Sequence, residues 1–342
     1  MSGSQQSVYM NHRSFAAPAS KAIAVAHVTT PFIAAYPWTS GTGFGTKYAN
    51  PATLPTLNGT HVKFNPSGTD IAISFVASPY IAAYPWSSGF GTKYANPATL
   101  PTGLGFGIAF SPSGADLAIA HFTSPRISVY PWSSGFGAKY ANPATLPTGD
   151  GRGVAFSPSG TDIAVSHDIS PYISVYPWSS GFGTKYANPA TLPTGLGFGV
   201  TFSPSGTDIA VAHGTSPRIS VYPWSSGFGT KYANPATLPT GNCIGVTFSP
   251  SGTDIAVAHG TQPRISVYPW SSGFGTKYAN PATLPGGDGR GVAFSSSGAD
   301  LAIAHVTTPF ISVYPWSSGF GSKYANPATL PTGDGFGVTF SP

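Results

Sequence analysis

Residues Gly199 to Pro239 read GVTFSPSGTDIAVAHGTSPRISVYPWSSGFGTKYANPATLP, and the chain is little more than this unit written out repeatedly. Its clearest marker, Tyr-Pro-Trp, places tryptophans at Trp38, Trp86, Trp132, Trp178, Trp224, Trp270 and Trp316. The first step is 48 residues and the other five are 46. A fixed period of this size means a solenoid or a propeller, so the 342 residues are read per repeat and as one domain.

Alternating apolar residues and the turn signals between them place three short strands in each unit. In the quoted copy they are Gly199–Phe202, Asp208–His213 and Arg218–Trp224, separated by a Ser-Pro-Ser-Gly turn and a Ser-Pro turn. A Gly-rich loop then leads to an outer fourth strand over Lys231–Leu238, and the two prolines in or beside it suit a sheet edge where no ladder hydrogen bond is lost. Both faces of the third strand are apolar, as expected when each small sheet is sandwiched between two neighbours. The expected fold is all-β, a seven-bladed β-propeller of four-stranded antiparallel blades.

The ends of the chain test this reading. The sequence stops at Gly337–Pro342, in the middle of a repeat, and Ala19–His27 resumes at the matching place. The C-terminal strand is therefore expected to be the inner strand of blade 1 and to close the ring. A rival closure uses residues 8–18, where Phe15 stands in a degraded copy of the first strand. With C-terminal closure, residues 1–18 form an N-terminal tail and residues 19–342 the propeller.

Phe-Ser-Pro-Ser-Gly, followed by Asp-Ile-Ala-Val-Ala-His and Ile-Ser-Val-Tyr-Pro-Trp, resembles the repeats of WD-repeat and YVTN-type β-propellers. Tyr-Pro-Trp stands where a WD repeat carries Trp-Asp, and no Gly-His dipeptide precedes the first strand. The resemblance implies a rigid platform for proteins, peptides or glycans. Near-identical tandem repeats look like a recent amplification of the kind seen in some bacterial and phage proteins. Irregular positions such as Asn58-Gly59-Thr60-His61 and Cys243 speak against an idealised symmetric design.

Composition narrows the function classes. Only 7% of residues are charged, and the net charge of +5 comes mostly from one lysine per repeat, spread round the ring. Nucleic-acid binding needs a basic patch or stripe, so no nucleic-acid partner is expected. One cysteine excludes an internal disulfide framework. The N-terminal residues lack the apolar run of a signal peptide, and no stretch is long enough to cross a bilayer as a helix, so no membrane insertion is expected.

Six copies end the second strand with His (His27, His121, His167, His213, His259, His305) and six begin it with Asp (Asp70, Asp116, Asp162, Asp208, Asp254, Asp300). Each His is alone in its blade without a second ligand at chelating spacing, so a hydrogen bond within the sheet is expected and no metal site. The Asp residues are read as hydrogen-bond acceptors, and the Trp and Tyr residues as blade packing.

Variation is concentrated in the loop entering the first strand and in the turn before the third, which emerge on one face of the disc. Arg and aromatic residues exchange between these places: Phe106 with Arg126, Phe198 with Arg218, and the reverse in Arg152 with Tyr172 and Arg290 with Phe310. Arg264 and Tyr80 occupy the same turn in blades 6 and 2. These ten residues are the candidate binding rim, with each Arg expected to lie against the aromatic ring of its own blade. Asp150 and Asp168 could approach each other, yet no nucleophile elbow or phosphate-cradling loop accompanies them. No catalytic residue and no cofactor is expected. The sequence thus reads as a non-enzymatic structural or recognition propeller, a virion or phage appendage or surface component, on the virion or extracellular surface rather than in the cytoplasm. Its expected partner is another protein or copies of itself, and its alternative a lectin-like propeller that binds glycans.

Overall fold

In the computed structural model residues 21–342 are described, and they form seven antiparallel sheets in a closed ring. Each sheet is one repeat. In blade 5 the inner strand is Gly197–Phe202, the middle strand Asp208–His213 and the third strand Ile219–Pro223. The Ser-Pro-Ser-Gly turn closes because Gly206 N donates to Ser203 O at 2.9 Å and Asp208 N donates to Ser203 Oγ at 3.0 Å. Gly206 sits at φ 75°, where a residue without Cβ is unstrained.

The ring closes as the repeat phase requires. Gly335–Phe340 pairs antiparallel with Lys21–His27, matching Val25 with Val338 and Ile23 with Phe340, so the C-terminal strand is the inner strand of blade 1. The rival segment at residues 8–18, and the proposed tail that contains it, lie outside the described residues.

The outer fourth strand is slighter than the sequence suggests. Blade 1 has a two-residue strand, Gly43–Phe44, and each other blade has a single bridge such as Trp224 with Phe228. In blade 5 the outer segment is further tied by Gly229 N to Pro223 O (2.9 Å) and Tyr232 N to Val221 O (3.0 Å). Beyond Tyr232, Lys231–Leu238 forms no ladder; Pro235 lies within this span and cannot donate.

Neighbouring blades share their cores. Ile219 and Val221 of blade 5 pack with Val246, Phe248, Ile255 and Val257 of blade 6. The middle strands are buried along their whole length, which is why both of their faces are apolar. Tyr222 is fully buried and Trp224 nearly so, and Tyr186 and Phe228 meet Trp224 edge-on at 5.2 and 5.1 Å. These aromatic residues are core.

The repeated Asp is a clamp between blades. Asp208 accepts Tyr232 OH of its own blade at 2.9 Å and Trp270 Nε1 of the next at 3.3 Å. The same pair of bonds recurs at Asp70, Asp116, Asp162, Asp254 and Asp300. In blades 3 to 7 the repeated His is bonded within its blade, as in His121, whose Nε2 lies 3.0 Å from Ser128 Oγ and whose Nδ1 lies 2.9 Å from Phe122 O.

Candidate functional site

The seven inner strands converge on a central channel with a cavity volume of about 500 Å³. Its mouth is set by the second residue of each inner strand: Thr60, Phe106, Arg152, Phe198, Ile244, Arg290 and Phe336. No two arginines are adjacent in this circle. Arg152 lies between Phe106 and Phe198, with its Cζ 5.9 and 5.2 Å from the ring centroids and 4.9 Å from Phe122. Arg290 lies 5.0 Å over Phe336.

The cation–π contacts are therefore made with neighbouring blades. This corrects the expectation that Arg152 stacks on Tyr172 and Arg290 on Phe310 within one blade. Within its own blade the Arg152 guanidinium is taken by Asp168 of the turn at 3.1 Å, and its faces are left to the rings of the blades on either side. Among the other rim candidates, Arg126 approaches Asp150 of the next loop at 4.0 Å and donates to Pro147 O at 3.2 Å. Arg264 donates to Pro285 O and Gly286 O at 3.0 Å. Tyr80, Tyr172, Phe310 and the turn arginines occupy left-handed backbone, with φ between 68° and 73°. Asp168 pairs with Arg152 at 3.1 Å and accepts Asp150 N at 2.8 Å, so this acid is committed to holding the loop.

One tier deeper, each inner strand except that of blade 2 carries glycine. A Cβ at Gly153 would lie 2.6 Å from Phe198 O, which leaves no room for a side chain between regular blades. Blade 2 has His61 at this position, and two residues further Lys63 replaces the usual Ala or Thr. Both side chains line the channel. The Nδ1 of His61 accepts the Ile108 N–H at 3.2 Å, so the proton of the neutral ring belongs on Nε2. Burial, reinforced by the charge of Lys63, pushes the His61 pKa down to about 3, and the ring stays neutral at ordinary pH. Burial also lowers the pKa of Lys63, and among the described residues no carboxylate comes within 4.0 Å of its ammonium.

The channel thus holds a polarising N–H and an amine with a lowered pKa. Among the described residues no three His, Cys, Asp or Glu side chains converge as a metal ion would require. Reading the sequence for conspicuous rim variation passed over this pair. The signal was present as the irregular Thr60-His61, which breaks an otherwise invariant glycine register.

No protein-family model matches the chain, and no curated protein matches it in sequence. Solved structures do match in fold. A periplasmic gluconolactonase from Pseudomonas aeruginosa aligns with a TM-score of 0.71 at 15% identity, over 94% of this chain and 99% of that one. Proteins assigned as 6-phosphogluconolactonases from Bacteroides uniformis and Bacteroides fragilis align over 94% of this chain and 100% and 98% of theirs. Their TM-scores are 0.69 and 0.71, and their identities 15% and 12%.

These likenesses show the propeller fold. The structures named here are lactonase propellers and not WD-repeat or YVTN-type ones, which corrects the resemblance expected from the repeat. The expectation of a non-enzymatic structural, virion or phage component without a catalytic role is corrected on the same ground: the structures named here that share the fold carry lactonase names. Two converging carboxylates or a nucleophile motif are the signals that sequence offers for catalysis, and the channel carries His61 and Lys63 instead. Among the described residues no helix is long and apolar enough to cross a membrane.

Proposed function

We propose that the protein is a lactonase-type hydrolase that opens a cyclic ester in its central channel. The observation that carries this reading is the placement of His61 and Lys63, two residues apart on one inner strand, in a ring whose other members supply only small side chains there. The fold shared with gluconolactonase propellers supports the choice of substrate class. A cavity of about 500 Å³ is in the range of small-molecule sites.

In this reading the Nε2–H of His61 donates to the lactone carbonyl oxygen and stabilises the negative charge that develops on it. The neutral amine of Lys63 takes a proton from water as the water oxygen bonds to the carbonyl carbon. Collapse of the tetrahedral intermediate breaks the ring C–O bond, and the ammonium returns its proton to the leaving oxygen. The products are a hydroxy acid and the regenerated amine. Lys63 must be neutral to act, so activity rises with pH through its lowered pKa, below the ordinary value of 10.5. A location outside the cytosol, which the name of the Pseudomonas relative gives for that protein, is part of the same proposal.

The test is release of acid from glucono-1,5-lactone and 6-phosphoglucono-1,5-lactone, with the spontaneous rate subtracted. Lys63→Arg keeps the charge and removes the base, so it is expected to lose activity as fully as Lys63→Ala, by roughly 100-fold or more. Equal rates in wild type and both variants would reject the proposal.

A further inference from the structure

A second cavity, of about 400 Å³, opens beside the channel between the loops of blades 5, 6 and 7. Arg218, Arg290, Asn242, Thr261 and Asp288 line it. It exists because of substitutions that can be followed blade by blade. Arg152 and Arg290 occupy the same place in the repeat, yet their surroundings differ. Arg152 is covered by Phe122 of the preceding blade and neutralised by Asp168 of its own. At the corresponding places around Arg290 stand Gly260 and Val306, so both the covering ring and the carboxylate are gone.

The same holds for Arg218. Its counterpart Arg126 approaches Asp150, whereas the residue corresponding to Asp150 beside Arg218 is Asn242. Among the described residues neither Arg218 nor Arg290 has a carboxylate within 4.0 Å, and neither guanidinium donates a hydrogen bond. The Nε of Arg290 is buried without a partner. Two half-buried, unpaired cations thus share one polar cavity with a single acid, Asp288.

We infer that this cavity binds a small hydroxy-acid anion, its carboxylate held by Arg218 and Arg290 and a hydroxyl donating to Asp288. Two guanidiniums call for an anionic acceptor. The carboxylate of Asp288 repels a second negative charge and accepts from a hydroxyl, which selects a hydroxylated monoanion over a simple dianion. Asn242 and Thr261 add neutral polar contacts. The inference does not depend on lactone hydrolysis: the cavity shares Arg290 with the channel mouth but is lined by neither His61 nor Lys63.

The experiment is titration calorimetry of the full chain with D-gluconate, alongside hexanoate and inorganic phosphate. Gluconate is expected to bind one site per chain, more tightly than hexanoate or phosphate. Arg218→Ala is expected to weaken it roughly tenfold or more, as for a lost hydrogen bond to a charged group. Gly260→Val fills the cavity with the side chain type found at this place in blades 1, 2 and 7, and its Cβ would meet nothing nearer than Asp288 Oδ2 at 3.8 Å. That variant is expected to keep the wild-type melting temperature and lose gluconate binding. No gluconate binding by wild type, binding unchanged in both variants, or equal affinity for hexanoate would each overturn the inference.

Discussion

Blades 3 to 7 repeat one set of contacts, and the pair formed by blades 1 and 2 departs from it. Each regular blade offers an Asp to the Trp of the next, but blade 1 has Ala22 at that place, so Trp86 has no carboxylate to meet. In regular blades His faces Ser across the sheet, whereas His27 faces Ala34 and both of its buried ring nitrogens lack partners. Blade 2 replaces the pair coherently with Phe75 and Ala82, and then places His61 and Lys63 in the channel. The comparison teaches that near-identical repeats supply the frame and that the channel gains its two basic side chains, His61 and Lys63, where the repeat is broken.

Acid is the broadest way to break the frame. Burial lowers the pKa of His27, His167, His213, His259 and His305 from 6.5 to about 4. Between those values the unfolded chain binds protons that the folded chain refuses, so stability falls as pH drops from 6.5 to about 4, with His61 extending the loss to about 3. Urea unfolding across this window is expected to lose several kcal/mol in total, and a flat profile would contradict buried neutral histidines.

Removing one clamp is the next largest effect. Asp208→Ala leaves the Trp270 and Tyr232 donors without their carboxylate and is expected to cost roughly 3 kcal/mol by the same measurement. The irregular seam can instead be repaired. Ala22→Asp supplies the missing acceptor for Trp86 and is expected to raise stability by about 1–2 kcal/mol. Ala34→Ser gives His27 the partner its counterparts have, for a gain of about 1 kcal/mol.

Most of the frame was legible because the strand boundaries, turns and ring closure are local consequences of Phe-Ser-Pro-Ser-Gly, Ser-Pro and the phase of the last repeat. The fourth strand was overestimated because its residues alternate suitably but include a proline that cannot sustain a ladder. The exchange of Arg and Phe was legible but its contacts were not: Arg152 lies between Phe106 and Phe198 of the neighbouring blades. His61 and Lys63 were visible as deviations, yet their convergence on one cavity depends on how seven inner strands meet at an axis, which no single repeat encodes.

The most direct test restores the repeat. Thr60→Phe, His61→Gly and Lys63→Thr together give blade 2 the inner strand of blade 5 at these positions. Lactone hydrolysis by this triple variant is expected to fall to the spontaneous rate while its melting temperature is maintained or rises. Wild-type kcat/KM in the folded triple variant would contradict the assignment of the chemistry to blade 2.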